Sequence, residues 1–263
     1  MPCVLRNTAT RWLLTGLQAA ALSPGVARAA EGDAPWRITP RIEYSSVKIN
    51  DNEGQWRTTS IMLERRLGDG ESVFASVQRQ RRNEASDAGL QLGGYARIAG
   101  WNAMALVEQN PGATFLPQQA YEVQLDHGAG LNRRVGLGYR KLRYRAGDIA
   151  IWSPQMTFYR GNDELGISYR VGRNAELDHD IRVLQLRALA IRERNQFGAY
   201  LARGNYIFDA LGIPGTSGSG WSANLTFSRT LTSKAAIQME IGQGMESDTF
   251  RQRSLGVSLR YSP

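Results

Sequence analysis

Apolar and polar residues alternate along most of the chain after residue 35, and the pattern continues almost to the last residue. In the closing segment SLGVSLRYSP (254–263), every second residue from Leu255 to Tyr261 is apolar or aromatic. Successive side chains of a strand point to opposite faces, so this pattern predicts strands with one apolar and one polar face. Few segments repeat their apolar residues every 3.6 positions, so helices are not expected to dominate.

The alternation predicts fourteen strands in a single domain, with twelve as the alternative if 101–109 or 196–204 is not a strand. The predicted strands are 36–47, 56–67, 72–81, 89–98, 101–109, 120–127, 133–144, 149–159, 164–172, 181–191, 196–204, 221–230, 235–244 and 250–261. The clearest apolar faces are Ile61/Leu63, Val73/Ala75/Val77, Tyr121/Val123/Leu125, Leu165/Ile167/Tyr169/Val171, Trp221/Ala223/Leu225/Phe227 and Ile237/Met239/Ile241.

The links between the predicted strands alternate in length. Links after even-numbered strands are short, such as GDG (68–70), whereas several links after odd-numbered strands are longer. The longer links are predicted at 48–55, 82–88, 110–119, 173–180 and 205–220. Outer-membrane barrels have short periplasmic turns and longer extracellular loops. The sequence therefore predicts an all-β, antiparallel up-and-down transmembrane β-barrel with both termini periplasmic.

A membrane location follows from the same pattern. An unpaired backbone N–H or C=O costs several kcal/mol in hydrocarbon, so a sheet crosses a bilayer only as a closed barrel. The final strand is then expected to pair with the first, with Tyr261 at the periplasmic interface. The alternative is a secreted soluble barrel or sandwich with inward apolar faces. Five tryptophans near predicted strand ends are expected in interfacial girdles, namely Trp36, Trp56, Trp101, Trp152 and Trp221.

The first 29 residues have the features of a cleaved secretory signal peptide, which leaves residues 30–263 as the barrel domain. Arg6 and Arg11 precede an uncharged apolar stretch, and the run 27–29 fits the small-x-small rule for cleavage. The single cysteine lies within this leader, so no disulfide framework is predicted in the mature protein.

The charge balance changes the interpretation little. The leader removes three of the 32 basic residues, so 29 remain against 24 acidic residues and the net charge falls from +8 to about +5. This mild and dispersed positive charge argues against nucleic-acid binding. No cofactor is predicted.

Three segments resemble the YaiO family of outer-membrane β-barrel proteins. The longest is RVGLGYRKLRYRAGDIAIWSPQMTFYRGNDELGISYRV (134–171), a hairpin series with Gly-Tyr-Arg and a strand that returns on Tyr-Arg. ATFLPQQAYEVQLDHGAGL (113–131) and LGVSLRY (255–261) extend the resemblance over nearly the whole mature chain. The resemblance implies a barrel similar to surface porins that helps to export polysaccharide, and it brings no catalytic signature. Such barrels usually end on Phe or Trp, whereas Ser262-Pro263 follow Tyr261 here.

Charged and amide residues occupy the predicted inward-facing positions. Both signs are present, so two interpretations stay open: a hydrated pore whose arginines select anionic or sugar solutes, or a narrow lumen filled by paired charges. About fourteen strands enclose a lumen too wide for side chains alone to fill, which favours the pore. The predicted pore-lining residues are Arg41, Glu43, Glu64, Arg66, Glu122, Gln124, Asp126, Arg140, Arg170, Arg187, Gln238, Glu240 and Arg260.

The two histidines are the candidates for catalytic chemistry. His179 lies between Asp178 and Asp180 in a predicted outer loop, where a carboxylate-oriented imidazole activates water in some surface hydrolases. Adjacent residues on an extended chain are poor metal ligands, so no metal site is predicted. His127 is expected on the lipid side at a strand end. The segment GIPGTSGSG (212–220) is expected to be a flexible extracellular loop, with a lid over the pore as the alternative.

Together these features predict an outer-membrane β-barrel of a Gram-negative bacterium. Its expected role is a porin-like channel or export pore for a polar solute such as polysaccharide. The alternatives are a surface hydrolase that uses the Asp178–Asp180 cluster, and a structural or adhesive barrel with a closed lumen. The expected partners are outer-membrane lipid and lipopolysaccharide, the barrel-assembly machinery and the polar solute.

Overall fold

Fourteen antiparallel strands form the protein in the computed structural model, which describes residues 35–263 except 69, 131, 146, 175–178, 206–218 and 247–248. The strands are β1 (Trp36–Ile49), β2 (Asn52–Gly68), β3 (Glu71–Arg82), β4 (Ala85–Ile98), β5 (Trp101–Gln109), β6 (Gln119–Gly128), β7 (Arg133–Tyr144), β8 (Gly147–Arg160), β9 (Asp163–Asn174), β10 (His179–Arg192), β11 (Asn195–Asn205), β12 (Ser219–Thr230), β13 (Ala235–Glu246) and β14 (Phe250–Tyr261). The predicted leader, residues 1–29, lies outside the described residues.

Each strand pairs with its neighbours in sequence, and β14 pairs with β1 to close the ring. The closing register runs from Ile38 opposite Tyr261 to Ile49 opposite Phe250. Closure satisfies the backbone groups of both terminal strands, which is the condition for a sheet in hydrocarbon. The predicted closed barrel of fourteen strands is therefore confirmed, and β1 begins and β14 ends at the end of the barrel with the short turns, the periplasmic end. Among the described residues, no helix is long and apolar enough to span a bilayer.

The outward faces carry the predicted apolar bands. On β6, Tyr121, Val123 and Leu125 are each at least 40% exposed, and the residues between them face the interior. Leu165, Ile167 and Tyr169 on β9 and Met239 and Ile241 on β13 are exposed in the same way. Exposed apolar side chains on every second position are what a lipid solvent requires, because the hydrocarbon replaces a protein core.

Three of the long outer loops predicted from the sequence are shorter than expected. β1 and β2 continue to a two-residue turn at 50–51, where Asn50 has a φ of 53°. β3 and β4 likewise meet at the turn 83–84, and β9 and β10 extend to 174 and 179. The sequence pattern predicts loops at these strand ends because their outward residues are polar, whereas their inward residues are mostly apolar or amide-bearing, with Arg82 and Asp87 as charged exceptions. The alternation continues there with its polarity reversed.

The same reversal explains the position of one tryptophan. Trp36, Trp101, Trp152 and Trp221 face outward and are exposed. Trp56 does not belong to a girdle: it faces inward, is 4% exposed and packs against Phe250 with ring centroids 6.2 Å apart. Trp56 lies beyond the lipid-facing band, at the end of the barrel where inward-facing side chains pack against one another.

The assigned faces predict how two neighbouring residues of β6 respond to the same change. Val123→Arg places a charge on the lipid face near mid-strand, and we expect it to destabilise the folded barrel by about 2–4 kcal/mol. Gln124→Arg places that charge in the cavity, and we expect a change below ~1 kcal/mol. Unfolding by guanidinium chloride in lipid vesicles, followed by tryptophan fluorescence, measures both changes. Equal costs would contradict the assigned faces.

Candidate functional site: the barrel lumen

A cavity of about 240 Å³, with charged and polar residues in its wall, occupies the periplasmic half of the lumen. It reaches the periplasmic rim, because Asn102, Arg134 and Gln196 line it and each is the second residue of its strand. Strand alternation turns three tyrosines into this space, Tyr95, Tyr159 and Tyr200, among amide and hydroxyl side chains. Of the predicted pore-lining residues, the cavity contains Glu122, Gln124, Asp126, Arg140, Arg170, Arg187 and Gln238.

Ion pairs hold most of the charges in the cavity wall. Arg134 contacts Asp126 at 2.9 Å, and the Asn102 amide also donates to this carboxylate. Arg140 lies 3.6 Å from Glu122, which is directly opposite it on β6. Arg187 lies 3.4 Å from Glu164. These ion pairs hold the three arginines in the wall of the cavity.

Arg170 differs from its neighbours. It lies on β9 opposite Val183 of β10, and no ion pair is described for it among the residues that the structure covers. With Arg140 on β7 and Arg187 on β10, it gives this side of the lumen three guanidinium groups. The uncompensated charge of Arg170 makes this wall favourable for an anionic or strongly hydrogen-bonding solute.

The opposite side of the barrel is acidic. Glu43 on β1 and Glu240 on β13 both accept from Arg41, at 2.7 and 2.9 Å, and Asn224 also donates to Glu240. Arg140 on β7 and Arg170 on β9 each lie six strands from β1 in the ring of fourteen, so Glu43 lies across the lumen from them, whereas Glu240 on β13 lies three strands from Arg187 on β10. Opposed charges of this kind set up a field across the lumen at the level a solute would cross.

The remaining predicted lining residues lie nearer to the periplasmic rim. Glu64 accepts from Arg37 at 3.0 Å. Arg66 and Arg260 occupy inward positions close to the ends of β2 and β14, and both have interactions within the protein. The residues predicted from alternation therefore form three groups in the lumen. One group lines the cavity, one surrounds Arg41, and one lies at the periplasmic rim.

An apolar core fills the outer part of the lumen, which the sequence analysis did not anticipate. A single cluster of buried side chains joins strands from opposite sides of the barrel, including Val47 on β1 and Ile149 on β8. Most of its members are bulky aliphatic or aromatic side chains. The cluster consists of Val47, Trp56, Ala120, Leu142, Tyr144, Ile149, Ile151, Ile181, Val183, Ala202 and Phe250.

The loop 110–118 folds back into the outer mouth beside this core. Ala113, Phe115 and Leu116 are buried to 3% exposure or less. The Asp87 carboxylate accepts from the backbone N–H groups of Thr114, Phe115 and Leu116 and from the Thr114 hydroxyl, at 2.8–3.0 Å. One carboxylate therefore holds the tip of the loop inside the barrel. Charge-assisted bonds of this kind are among the stronger ones in proteins.

Arg82 connects the loop to the core. Its guanidinium lies 4.5 Å from the Trp56 ring and 4.2 Å from the Phe115 ring, and its Nε donates to Gln80. The residue is 6% exposed, and its two terminal nitrogens have no hydrogen-bond partner among the described residues. The outer plug, defined as the apolar cluster together with Arg82 and loop 110–118, therefore contains a buried and incompletely satisfied cation.

The predicted histidine chemistry finds little support in the described residues. Asp178 lies outside them, and the structure describes the backbone of His179 but not its side chain. Asp180 faces outward and pairs with Arg182 at 3.2 Å. His127 faces outward at the periplasmic end, as expected, and stacks on Trp101 with ring centroids 4.9 Å apart. Within the described residues, no group of three His, Cys, Asp or Glu side chains is placed to hold a metal ion.

Comparison with solved structures places this architecture among known barrels. The outer membrane protein Omp33 of Acinetobacter baumannii is similar with a TM-score of 0.53 and 10% identity, over 88% of this chain and 100% of that one. The fold is that of a porin-like outer-membrane β-barrel. OccK3 of Pseudomonas aeruginosa (TM-score 0.46, 10% identity, 89% of this chain and 96% of that one) and the KdgM porin (0.47, 11%, 85% and 99%) are also similar. No family model and no curated protein matches the chain, so membership of the YaiO family stays a prediction.

The Asp87 contacts predict how loop 110–118 is released. Ala113→Cys introduces a buried thiol into a mature chain that has no other cysteine if the leader is cleaved. We expect slow labelling by a membrane-impermeant maleimide, and about tenfold faster labelling when Asp87→Ala is added, because the loop loses its anchor. The control is Asp148→Ala, which removes an outward carboxylate from the same end of the barrel. Equal rates in all three backgrounds would show that Asp87 does not hold the loop.

Proposed function

We propose that the protein is a gated outer-membrane channel for polar solutes, entered from the periplasmic end and closed by the outer plug. The observation that carries the proposal is the contrast between the two halves of the lumen. The periplasmic half is a cavity with charged and polar residues in its wall, and the outer half is sealed by apolar side chains and an inserted loop. A barrel with a purely structural role has no need of a charged cavity open to one side.

The chemistry of the cavity favours saccharides as the solute class. Tyr95, Tyr159 and Tyr200 offer aromatic faces for sugar rings, and amide and hydroxyl side chains offer donors and acceptors for sugar hydroxyls. The arginine wall and the uncompensated Arg170 favour an acidic saccharide over a neutral one. This solute class agrees with the polysaccharide export that the YaiO resemblance implies.

The outer plug has features that favour opening. The Asp87 carboxylate accepts from four donors at the tip of loop 110–118, whereas the Asn110 amide, which donates to the Pro117 carbonyl, holds its base, so we expect loss of the one carboxylate to release the tip. Arg82 is buried without partners for its terminal nitrogens, and a buried cation that lacks partners raises the free energy of the state that buries it. Release of the loop exposes Arg82 to water, so opening removes the free-energy cost of burying this cation.

A structural barrel with a permanently closed lumen is the second candidate. The apolar cluster favours it, because that cluster joins strands on opposite sides of the ring and includes fully buried side chains such as Leu142 and Ile149. The two candidates differ in one measurable respect: a gate opens when its anchor is cut, whereas a permanent core does not.

Two substitutions in the outer plug are expected to change conductance in opposite directions. Asp87→Ala removes the loop anchor, so we expect the open probability in planar bilayers to rise at least about tenfold. Arg82→Met replaces the unsatisfied cation with an apolar chain of similar length, so we expect fewer openings than in the unmodified protein. Single-channel recording on the refolded barrel measures both effects.

Asp148→Ala serves as the matched control, with an expected open probability equal to that of the unmodified protein. If neither the unmodified protein nor Asp87→Ala conducts, although both migrate as folded barrels on heat-modifiable gels, the channel is ruled out and the structural barrel stands. A rise with both Asp87→Ala and Asp148→Ala would mean that general destabilisation, not the anchor, opens the lumen.

The solute class is tested at Arg170. Acidic oligosaccharides added at the periplasmic side are expected to block the Asp87→Ala channel, and Arg170→Gln is expected to weaken this block about tenfold. Block by neutral oligosaccharides of the same length is expected to change less than about twofold, because the substitution keeps a hydrogen-bonding side chain. Equal weakening for both would contradict a charge-selective role for Arg170.

A further inference from the structure

The outward face of four adjacent strands carries a concentrated group of cations at the outer end. The strands are β14, β1, β2 and β3, which are neighbours around the closing seam of the barrel. All six side chains alternate with buried inward-facing residues such as Val47, Trp56 and Arg82. This outer basic patch consists of Lys48, Arg57, Arg79, Arg81, Arg251 and Arg253.

The register places like charges directly opposite one another. Arg57 on β2 is the cross-strand partner of Arg81 on β3, and Lys48 on β1 is the partner of Arg251 on β14. Such pairs repel, since their Cβ atoms lie roughly 5 Å apart. A sheet keeps like-charge pairs side by side on an exposed face at low cost when an external anion lies between them.

In the described register, one cross-strand neighbour of the six cations is acidic: Glu53 on β2 lies opposite Lys48, so the protein supplies limited compensation. No ion pair is described for any of the six cations among the residues that the structure covers. Arg57 lies over the Tyr44 ring at 5.4 Å, Arg79 donates to the Ser86 hydroxyl, and Arg81 donates to the backbone of Asn83. The contacts of Arg79 and Arg81 each use one Nε donor, and the Arg57 contact is a cation–π contact that uses none, so further guanidinium donors of each arginine remain for an external partner.

The patch begins where the lipid-facing band ends. On β3 the outward residues change from Val73 and Val77 to Arg79 and Arg81, and on β14 they change from Leu255 to Arg253. A position next to the apolar band is the level of the lipid headgroups. At the periplasmic end of the same four strands, Arg65 is the outward-facing cation among the described residues.

We infer that the outer basic patch binds the phosphate groups of the glycolipid in the outer leaflet of the outer membrane. Four strands span roughly 15 Å, which matches a disaccharide headgroup with more than one phosphate better than a single small anion. Arginine suits this partner, because its fork of donors binds phosphate oxygens in a bidentate manner. Such binding neutralises the like-charge pairs and holds the closing seam of the barrel against lipid.

The experiment compares two triple variants of the refolded full barrel in neutral detergent. The first carries Arg57→Gln, Arg81→Gln and Arg251→Gln in the outer basic patch. The matched control carries Arg65→Gln, Arg133→Gln and Arg229→Gln, which are also exposed and outward-facing but lie at the periplasmic end. Native mass spectrometry measures the Kd for bisphosphorylated lipid A, for its dephosphorylated form, and for lipid A in the presence of inorganic phosphate.

We expect the patch variant to bind bisphosphorylated lipid A at least about tenfold more weakly than the unmodified protein, and the control within about twofold. The dephosphorylated form is expected to bind all three proteins equally weakly, and millimolar inorganic phosphate is expected not to displace the lipid. Equal loss in both triple variants, equal binding of the two lipid forms, or displacement by free phosphate would each overturn the inference.

A second measurement covers the case in which the patch variant does not fold. The Kd of the unmodified protein for bisphosphorylated lipid A is expected to rise about tenfold between roughly 0.05 and 0.5 M NaCl, because screening weakens exposed charge pairs. A Kd that does not change with salt would overturn the inference without any variant.

Discussion

The pairing of every backbone polar group inside hydrocarbon is the constraint on which this structure depends. The ring from β1 to β14 satisfies it by joining its first and last strands over the register from Ile38 opposite Tyr261 to Ile49 opposite Phe250. Closure creates an interior that lipid does not reach, and polar side chains can occupy it without facing hydrocarbon. The cavity, the ion pairs and the outer plug are possible because closure separates the barrel interior from the surrounding lipid.

The polarity of the alternation changes along the barrel axis. Near mid-membrane the strands place apolar residues outward and polar residues inward, whereas near the outer end they place cations outward and apolar residues inward. The outward face of β3 shows the change, since Val73 and Val77 are followed by Arg79 and Arg81. One reversal of pattern therefore produces both the outer plug and the outer basic patch.

The two halves of the lumen have different physical characters. The periplasmic half holds charges in defined pairs, such as Arg187 with Glu164, so its walls are preorganised for a polar solute. The outer half excludes water by packing, and a single carboxylate, that of Asp87, holds the loop that completes it. In the channel that we propose, this arrangement separates selection of the solute from closure of the pore.

The sequence by itself determined the strands, their number, the lipid-facing bands and most of the inward charges. A strand that has lipid on one face and the lumen on the other must alternate apolar and polar residues with period two. Residues such as Val123 and Glu122 needed no further information. The tertiary structure decided which inward charges meet, such as Arg41 with Glu240 from a distant strand, since ring closure brings them together. It also decided that Trp56 lies in a core and that loop 110–118 folds inward. Alternation assigns residues to two faces, but it does not state which face meets lipid, water or protein at a given height, and only the closed barrel settles that.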